Sequence, residues 1–180
     1  MANYKILFAG PVGAGKTTAI RAISDIPTVS TDEAASDMAR NRKPATTVAM
    51  DYGLMKLGGG NSVHLYGTPG QERFDFMWDI LKEGGLGLVL LLDNTRSNRF
   101  KDLSFFVTAF REFIDNTSLA IGVTRMDEQR EPGLELCNEH LRSLGLKCPI
   151  FEVDARSRRD VSLLVQALLY TIDPGVVEDV

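Results

Sequence analysis

The chain has 180 residues, 44% of them hydrophobic, which is enough for one domain with a buried core and too few for two ordinary domains. Its formal net charge of −4 argues against a general nucleic-acid-binding surface. The chain contains two cysteines and no CxxC pair, so neither a disulfide framework nor a zinc site is indicated. We therefore expect Cys137 and Cys148 to be buried thiols of a cytoplasmic protein.

Targeting and anchoring signals are not recognised in the sequence. No apolar run approaches the roughly 18 residues that a membrane-spanning helix needs. The first residues lack the basic and apolar regions of a secretion signal. Position 2 is not the glycine that myristoylation requires, and no cysteine near residue 180 suits prenylation. We expect no direct lipid anchor, so any membrane attachment would come through a partner.

The first functional motif is a phosphate loop that lies between a predicted strand and a predicted helix. Residues 4–9 are apolar and β-prone, and residues 17–23 carry apolar side chains at helical spacing. The pattern G-x-x-x-x-G-K-[ST] is matched in full by Gly10, Pro11, Val12, Gly13, Ala14, Gly15, Lys16 and Thr17. Backbone N–H groups of such a loop wrap nucleotide phosphates, Lys16 reaches the β and γ oxygens, and Thr17 ligates Mg²⁺. A glycine-rich turn that matches by chance is the alternative, which the flanking elements disfavour.

The elements that follow alternate between strand and helix, which predicts an α/β fold with a mostly parallel sheet. A strong turn signal at residues 58–61 predicts a hairpin, so that one strand is antiparallel. The predicted strands are residues 48–57, 62–66, 86–92, 119–123 and 149–153, and the predicted helices are residues 100–114, 134–144 and 161–172. We predict one domain over residues 1–173, followed by a short tail at residues 174–180.

Four later segments follow the phosphate loop in the order found in the Ras-like small GTPases, and the resemblance covers nearly the whole chain. Thr46-Thr47 before a strand resembles switch I, and Gly67-Thr68-Pro69-Gly70-Gln71-Glu72 resembles the D-x-x-G-Q-E of switch II. Thr124-Arg125-Met126-Asp127 stands where the family has N-K-x-D, and Asp154-Ala155-Arg156 where it has S-A-K. The resemblance implies a P-loop NTPase with a six-stranded, mostly parallel sheet, one antiparallel strand and helices on both faces.

The resemblance also implies the ligands, GTP or GDP and Mg²⁺, and a slow hydrolysis of GTP. The residues implied in catalysis are Lys16, Thr47, Gly70 and Gln71, and those implied in holding the metal are Thr17 and Thr47. The residues implied in binding the nucleotide are Gly10, Val12, Gly13, Ala14, Gly15, Lys16, Thr17, Thr18, Thr124, Arg125, Asp127, Asp154, Ala155 and Arg156.

Base choice follows from the hydrogen-bonding groups of these residues. The Asp127 carboxylate can accept from guanine N1–H and N2–H₂, whereas adenine has neither donor and would leave the carboxylate unpaired. The Ala155 N–H can meet guanine O6. Gly70 can turn its N–H onto the γ-phosphate, Gln71 can orient the attacking water, and Thr47 can close over Mg²⁺. The alternatives are a loop cap for Asp127, a strand-entry residue for Thr47 and an exposed turn residue for Gln71.

Three positions depart from the Ras-like pattern. The switch II aspartate is Gly67, so another carboxylate must act near the metal, and Asp51 and Asp93 are the candidates. Thr124 replaces the family asparagine. We expect this change to weaken the contact between the phosphate loop and residues 124–127, here called the base loop. Val12 carries a side chain where an arginine inserted by an activator would pass.

The Pro-Gly-Gln core without the aspartate resembles a bacterial branch of polarity and gliding-motility GTPases associated with roadblock-type proteins. A roadblock-type activator or effector is therefore the expected partner. In that branch the GTPase can supply its own transition-state arginine, for which Arg40 and Arg42 are candidates, although two solvated loop arginines are the alternative.

Three functions remain open at the level of the sequence. The first is a GTP/GDP switch whose state a partner recognises through residues 46–52 and 67–78. We expect at least one apolar side chain of the second segment to be exposed to that partner, among Phe74, Phe76, Met77 and Trp78. The second is a guanine-nucleotide-binding scaffold with negligible hydrolysis. The third is a P-loop ATPase or kinase. Such an enzyme needs an Arg-rich lid, and the arginine cluster at residues 156–159 is poorly placed to form one.

Overall fold

The computed structural model describes residues 1–30, 50–70 and 75–175. Within these ranges the strands are β1 (Asn3–Ala9), β2 (Val29–Ser30), β3 (Asp51–Lys56), β4 (Ser62–Gly67), β5 (Gly87–Asp93), β6 (Leu119–Thr124) and β7 (Ile150–Glu152). The α-helices there are α1 (Lys16–Ile23), α2 (Asp75–Lys82), α3 (Arg99–Ala109), α4 (Arg111–Asn116), α5 (Leu134–Ser143) and α6 (Arg158–Ile172). No helix in this part of the chain combines the length and apolarity required to cross a membrane.

The strands form one sheet in the order β2-β3-β4-β1-β5-β6-β7. All neighbouring pairs are parallel except β2 with β3 and β3 with β4, so β3 is the one antiparallel strand in the described sheet. This arrangement confirms the mixed, mostly parallel α/β fold and fits a P-loop NTPase. The sheet has seven strands rather than the predicted six. The extra strand, β2, spans two residues, and such a short segment leaves no hydrophobic period in the sequence.

The core lies on both faces of the sheet. Strands β5 and β6 are buried along their full length, as continuous apolar runs in a parallel sheet should be. One face packs against α1 and α6 through residues such as Ile20 and Leu164. The opposite face packs against α2 and α3 through residues such as Trp78 and Phe106. Helices therefore cover both faces, as predicted.

The helix predicted at residues 100–114 is divided in two. Helix α3 ends at Ala109 and α4 begins at Arg111, with Phe110 at φ −103° and ψ 11° between them. The Phe110 side chain is fully buried and packs against the Trp78 ring. The apolar stripe predicted the buried face correctly, but a stripe alone does not reveal a local bend.

The parallel topology places functional loops at one edge of the sheet. The phosphate loop follows β1, and the loops after β4, β5 and β6 leave from the neighbouring carboxyl ends. In open α/β sheets ligands bind outside the carboxyl ends of the strands. This edge is therefore where the candidate site is expected.

Candidate nucleotide-binding site

The phosphate loop adopts a backbone that only its glycines allow. Gly10, Gly13 and Gly15 have φ values of 141°, 82° and 102°. A Cβ at Gly10 would lie 2.2 Å from the Leu91 carbonyl oxygen, so no side chain fits there. Gly15 caps α1 without a side-chain hydrogen bond, which leaves the first-turn N–H groups without a side-chain cap. A helix N-terminus of this kind binds anions such as phosphate.

Lys16 is a buried cation at the centre of this loop. Its side chain is only 8% exposed, and its Nζ donates to the carbonyl oxygens of Gly10 at 2.7 Å and Pro11 at 2.9 Å. Burial lowers the pKa of Lys16 to about 8, and the nearby charge of Asp51 acts in the opposite direction. An ammonium held this way gains from an anionic ligand, since opposite charge offsets the lost solvation. The residues present therefore fit a phosphate group.

Thr17 contacts the carboxylate of Asp51, the residue opposite Gly67. The Thr17 hydroxyl donates to Asp51 Oδ2 at 2.5 Å. Asp51 lies directly across from Gly67 in the β3–β4 register. A Cβ built on Gly67 would lie 3.1 Å from both the Cβ and the Oδ2 of Asp51. The Asp51 side chain thus occupies the space into which a side chain at position 67 would project. A hydroxyl and a carboxylate are oxygen ligands of the kind that Mg²⁺ prefers, so these residues fit the ion.

Asp93, the second candidate carboxylate, is engaged elsewhere. Its Oδ1 accepts hydrogen bonds from the Thr95 N–H at 2.9 Å and from the Thr95 hydroxyl at 2.6 Å. Its Oδ2 lies 3.3 Å from Arg125 Nη1, and Arg125 also donates to the Gly13 carbonyl oxygen at 3.2 Å. Asp93 therefore braces the base loop against the phosphate loop. Of the two candidates, the structure places Asp51 beside Thr17.

Thr124 still reaches the phosphate loop even though it replaces the family asparagine. Its hydroxyl lies 3.0 Å from the Ala14 carbonyl oxygen and 3.1 Å from that of Leu92. The hydroxyl has one proton for the two acceptors, so they share it. Together with the Arg125–Gly13 bond, this contact ties the base loop to the phosphate loop. The two loops are therefore in contact although the asparagine is replaced by Thr124.

The predicted base-binding residues meet at one cavity of about 220 Å³. Its lining residues are Ala14, Gly15, Thr18, Thr124, Arg125, Asp127, Glu128, Asp154, Ala155 and Arg156. The phosphate loop and the last loop touch here, because a Cβ at Gly15 would lie 2.9 Å from the Ala155 Cβ. Glu128 is the one lining residue that the sequence did not single out, and only its position after Asp127 could have suggested it.

Asp154 and Arg156 form a clamp at the rim of this cavity. Asp154 Oδ1 accepts from the backbone N–H and the Nε of Arg156, and Oδ2 accepts from Nη2, each at 2.9 Å. These hydrogen bonds lower the pKa of Asp154 below its usual value. The backbone N–H of Asp154 donates to Asp160 at 3.0 Å, which anchors the loop to the start of α6. The clamp thereby holds the loop that carries Ala155.

Gly70 lies against the phosphate loop. A Cβ on Gly70 would lie 2.7 Å from the Val12 nitrogen and 2.9 Å from Lys16 Nζ, so a side chain here would displace the loop. Val12 itself is exposed, as its expected effect on an inserted arginine requires. The predicted residues Arg40, Arg42, Thr46, Thr47, Gln71 and Phe74 lie outside the described residues.

Trp78 connects the segment around Pro69 and Gly70 to the core. Its Nε1 donates to the Pro69 carbonyl oxygen at 3.0 Å, and its ring packs 5.2 Å from that of Phe110. Trp78 is 2% exposed, whereas Phe76 on the same helix is 54% exposed. The prediction that at least one apolar side chain of this segment is exposed is confirmed.

We expect Trp78 fluorescence to report nucleotide binding. It is the chain's single tryptophan, and its hydrogen-bond partner Pro69 directly precedes Gly70 at the phosphate loop. Any shift of Gly70 on triphosphate binding moves the indole's acceptor, so emission should change on titration of nucleotide-free protein. The variant Trp78→Phe should show no such change. Constant emission at saturating triphosphate would contradict the coupling.

Comparison with known proteins agrees with this geometry. A protein family described as conserved hypothetical ATP binding protein matches residues 8–140. The chain belongs to this family. It is also 25% identical to the Ras-related protein Rab-27A of Sus scrofa, over 92% of this chain and 76% of the relative. It is 27% identical to the Ras-related protein RABC2a of Arabidopsis thaliana, over 98% and 82% respectively. These findings support a Ras-like P-loop protein and imply that it binds nucleotide.

Proposed function

We propose that this protein is a GTP-binding molecular switch that hydrolyses GTP to GDP. The observation that carries the proposal is that Asp127 and Ala155, from two separate loops, line one cavity with Ala14 and Gly15 of the phosphate loop. A carboxylate in this position pairs with the two donors of guanine and is left unpaired by adenine. This chemistry favours GTP over the ATP in the family's description.

The phosphates would be held by the chain's own cation and backbone donors. Lys16 and the first-turn N–H groups of α1 would bind them, and Gly70 can offer its N–H to the γ-phosphate. Mg²⁺, when bound by Thr17 with support from Asp51 and Thr47, would supply charge neutralisation at the β- and γ-phosphates. In our proposal Gln71 orients the water that attacks the γ-phosphate.

Slow turnover and a switch follow from the same proposal. A Ras-like site without a positioned arginine runs at roughly 10⁻⁴ to 10⁻³ per second. Arg40 and Arg42, or a partner, are the candidate sources of that arginine. Loss of the γ-phosphate would release residues 46–52 and 67–78, which changes the surface seen by a partner. By resemblance that partner is of the roadblock type, acting in cell polarity, motility or regulation, and it should bind the GTP form more tightly.

The test of base choice is the variant Asp127→Asn. Wild-type protein should bind GTP at least 100-fold more tightly than ATP, or about 2.7 kcal/mol. The variant should lose GTP affinity and gain affinity for xanthosine triphosphate, whose added carbonyl accepts from the new amide. Competition against a fluorescent guanine nucleotide measures both. Glu128→Gln is the matched control, because it removes a neighbouring carboxylate of the same cavity. Equal wild-type affinity for ATP and GTP would contradict the proposal.

The test of hydrolysis is the variant Gln71→Leu. Loss of the side chain that orients water should slow single-turnover hydrolysis at least tenfold, about 1.4 kcal/mol of barrier, while GTP affinity stays unchanged. An unchanged rate, with and without an activator, would remove Gln71 from the mechanism.

The second candidate function is a guanine-nucleotide-binding scaffold with negligible hydrolysis. Gly67 and the exposed Val12 favour it, because they remove one metal-side carboxylate and obstruct an inserted arginine. The position of Asp51 beside Gly67 weakens the first of these reasons. Bound GTP that persists through single-turnover assays with the natural partner present would establish the scaffold.

A further inference from the structure

Strand β7 leaves an open edge at the end of the sheet. The carbonyl of Pro149 and the N–H of Val153 bond to β6, at 2.9 and 3.0 Å. Because alternate strand residues point their backbone groups in opposite directions, those of Ile150 and Glu152 point away from the sheet. β7 pairs with β6 alone in the described sheet. Two N–H and C=O pairs are therefore available for another strand.

A cavity of about 310 Å³ lies beside this edge, between β7 and the first turns of α6. Helix α6 packs mainly on β5 and β6, so its side of β7 is incompletely covered, whereas α5 packs against the other face of β7. Phe151 is 39% exposed and Leu163 is 50% exposed, and both line the cavity. Two large apolar side chains at an open strand edge form the kind of surface that a partner covers.

Most of the other residues that line the cavity are acidic. Four acidic residues, Asp127, Glu152, Asp154 and Asp160, are among those that line the cavity. Because strand side chains alternate, the Glu152 side chain lies on the opposite face of β7 from that of Phe151. Arg156 neutralises Asp154, but Glu152 has no ion pair among the described residues. The sequence places Arg159 one turn before Leu163 on α6, yet it is not part of the lining. The excess of negative charge favours a basic occupant and opposes a second copy of this chain, whose own β7 edge carries the same carboxylates.

We propose that the groove between β7 and α6 binds an extended segment of a partner protein by strand addition to β7. The segment would carry an apolar side chain for Phe151 and Leu163, flanked by lysine or arginine for Glu152 and the neighbouring carboxylates. Asp127 and Asp154 line both this groove and the nucleotide cavity, so the two sites share a wall. Binding of the segment and of nucleotide would consequently affect each other's affinity by the same factor. The groove would bind the segment whether the nucleotide site prefers GTP or ATP.

The probe is a display library of random peptides of about twelve residues, selected against the full chain. We expect selected peptides to share an apolar residue next to lysine or arginine. A synthetic copy should shift the amide resonances of residues 150–152 and bind at least tenfold more weakly to Leu163→Glu and to Glu152→Lys. Leu136→Glu is the matched control, because Leu136 is similarly exposed, at 47%, but lies on α5 away from the groove. Its affinity should equal that of wild type.

Several outcomes would overturn the proposal. The selected peptides could lack a basic residue, or Leu136→Glu could lose as much peptide affinity as Leu163→Glu. The selection could also yield no peptide whose binding depends on Leu163. Sedimentation showing a dimer that Leu163→Glu dissociates would instead assign the groove to a second copy. Nucleotide affinity and melting temperature of the Leu163→Glu variant should match wild type, which separates failure of this groove from failure of the nucleotide site or of the fold.

Discussion

Replacing Lys16 by alanine is expected to abolish stable binding of nucleoside triphosphate. The ammonium is buried and held by two carbonyl oxygens of the phosphate loop, so its loss removes a desolvated charge from the proposed phosphate site. Truncating one partner of such a pair costs about 2–5 kcal/mol, which corresponds to at least a 30-fold weaker affinity. Equilibrium titration with a fluorescent triphosphate measures the loss.

Two controls separate charge from packing in this experiment. Lys16→Met keeps most of the side-chain volume without the charge and should bind as poorly as Lys16→Ala, while Lys101→Met, at an exposed lysine, should bind normally.

The Lys16 pKa of about 8 adds a pH dependence to triphosphate binding. Below that pH the free protein already carries the ammonium; above it, binding must take up a proton, so affinity should fall as pH rises. Lys16→Met should lack this pH dependence. Wild-type affinity in Lys16→Met would contradict the assigned role.

Replacing Asp51 by asparagine is expected to uncouple nucleotide retention from Mg²⁺. In wild-type protein, chelation of Mg²⁺ should accelerate nucleotide release at least tenfold. Asp51→Asn removes the carboxylate that accepts from Thr17, so release should already be fast with Mg²⁺ present and should change little on chelation. Stopped-flow displacement of a fluorescent nucleotide measures both rates. Unchanged Mg²⁺ dependence in this variant would exclude Asp51 from the metal site.

An exchange of the two positions gives the sharper test. Gly67→Asp alone should be impaired, because its Cβ would meet the Asp51 side chain at 3.1 Å. The double variant Asp51→Gly/Gly67→Asp removes the contact with Asp51 and restores one carboxylate to the same space. The contact of the new Cβ with Ile20 Cδ1, also 3.1 Å, remains, and it is with the end of a flexible side chain. It should recover Mg²⁺-dependent retention that Asp51→Gly alone loses. Failure of the double variant in a folded protein would show that the carboxylate must come from β3.

Local patterns were sufficient for much of the fold. The apolar runs that became β1, β5 and β6 are buried parallel strands, and the glycine turn at residues 58–61 does join two antiparallel strands. The two-residue β2 and the bend at Phe110 were missed. Neither produces a hydrophobic period, and each depends on contacts with distant residues.

The sequence by itself determined the phosphate loop and the segments that surround it. The phosphate-binding roles proposed for Gly10, Gly15, Lys16 and Thr17 depend on local backbone geometry, which a contiguous motif encodes. The order of the later segments also predicted that Asp127 and Ala155 belong to one site. Their actual meeting at a shared cavity required the parallel packing of β1 and β6 around β5.

Only the tertiary structure shows which of Asp51 and Asp93 lies beside Thr17. Both aspartates lie at strand ends, and no local pattern separates them. The antiparallel β3–β4 register places Asp51 opposite Gly67 and within hydrogen-bond distance of Thr17, while Asp93 is taken up by Thr95 and Arg125. The groove beside β7 was equally invisible in the sequence, because a strand edge and a helix far apart in the chain form it together. The position of Asp51 and the formation of this groove depend on strand register and packing, and both are determined by contacts between residues far apart in the chain.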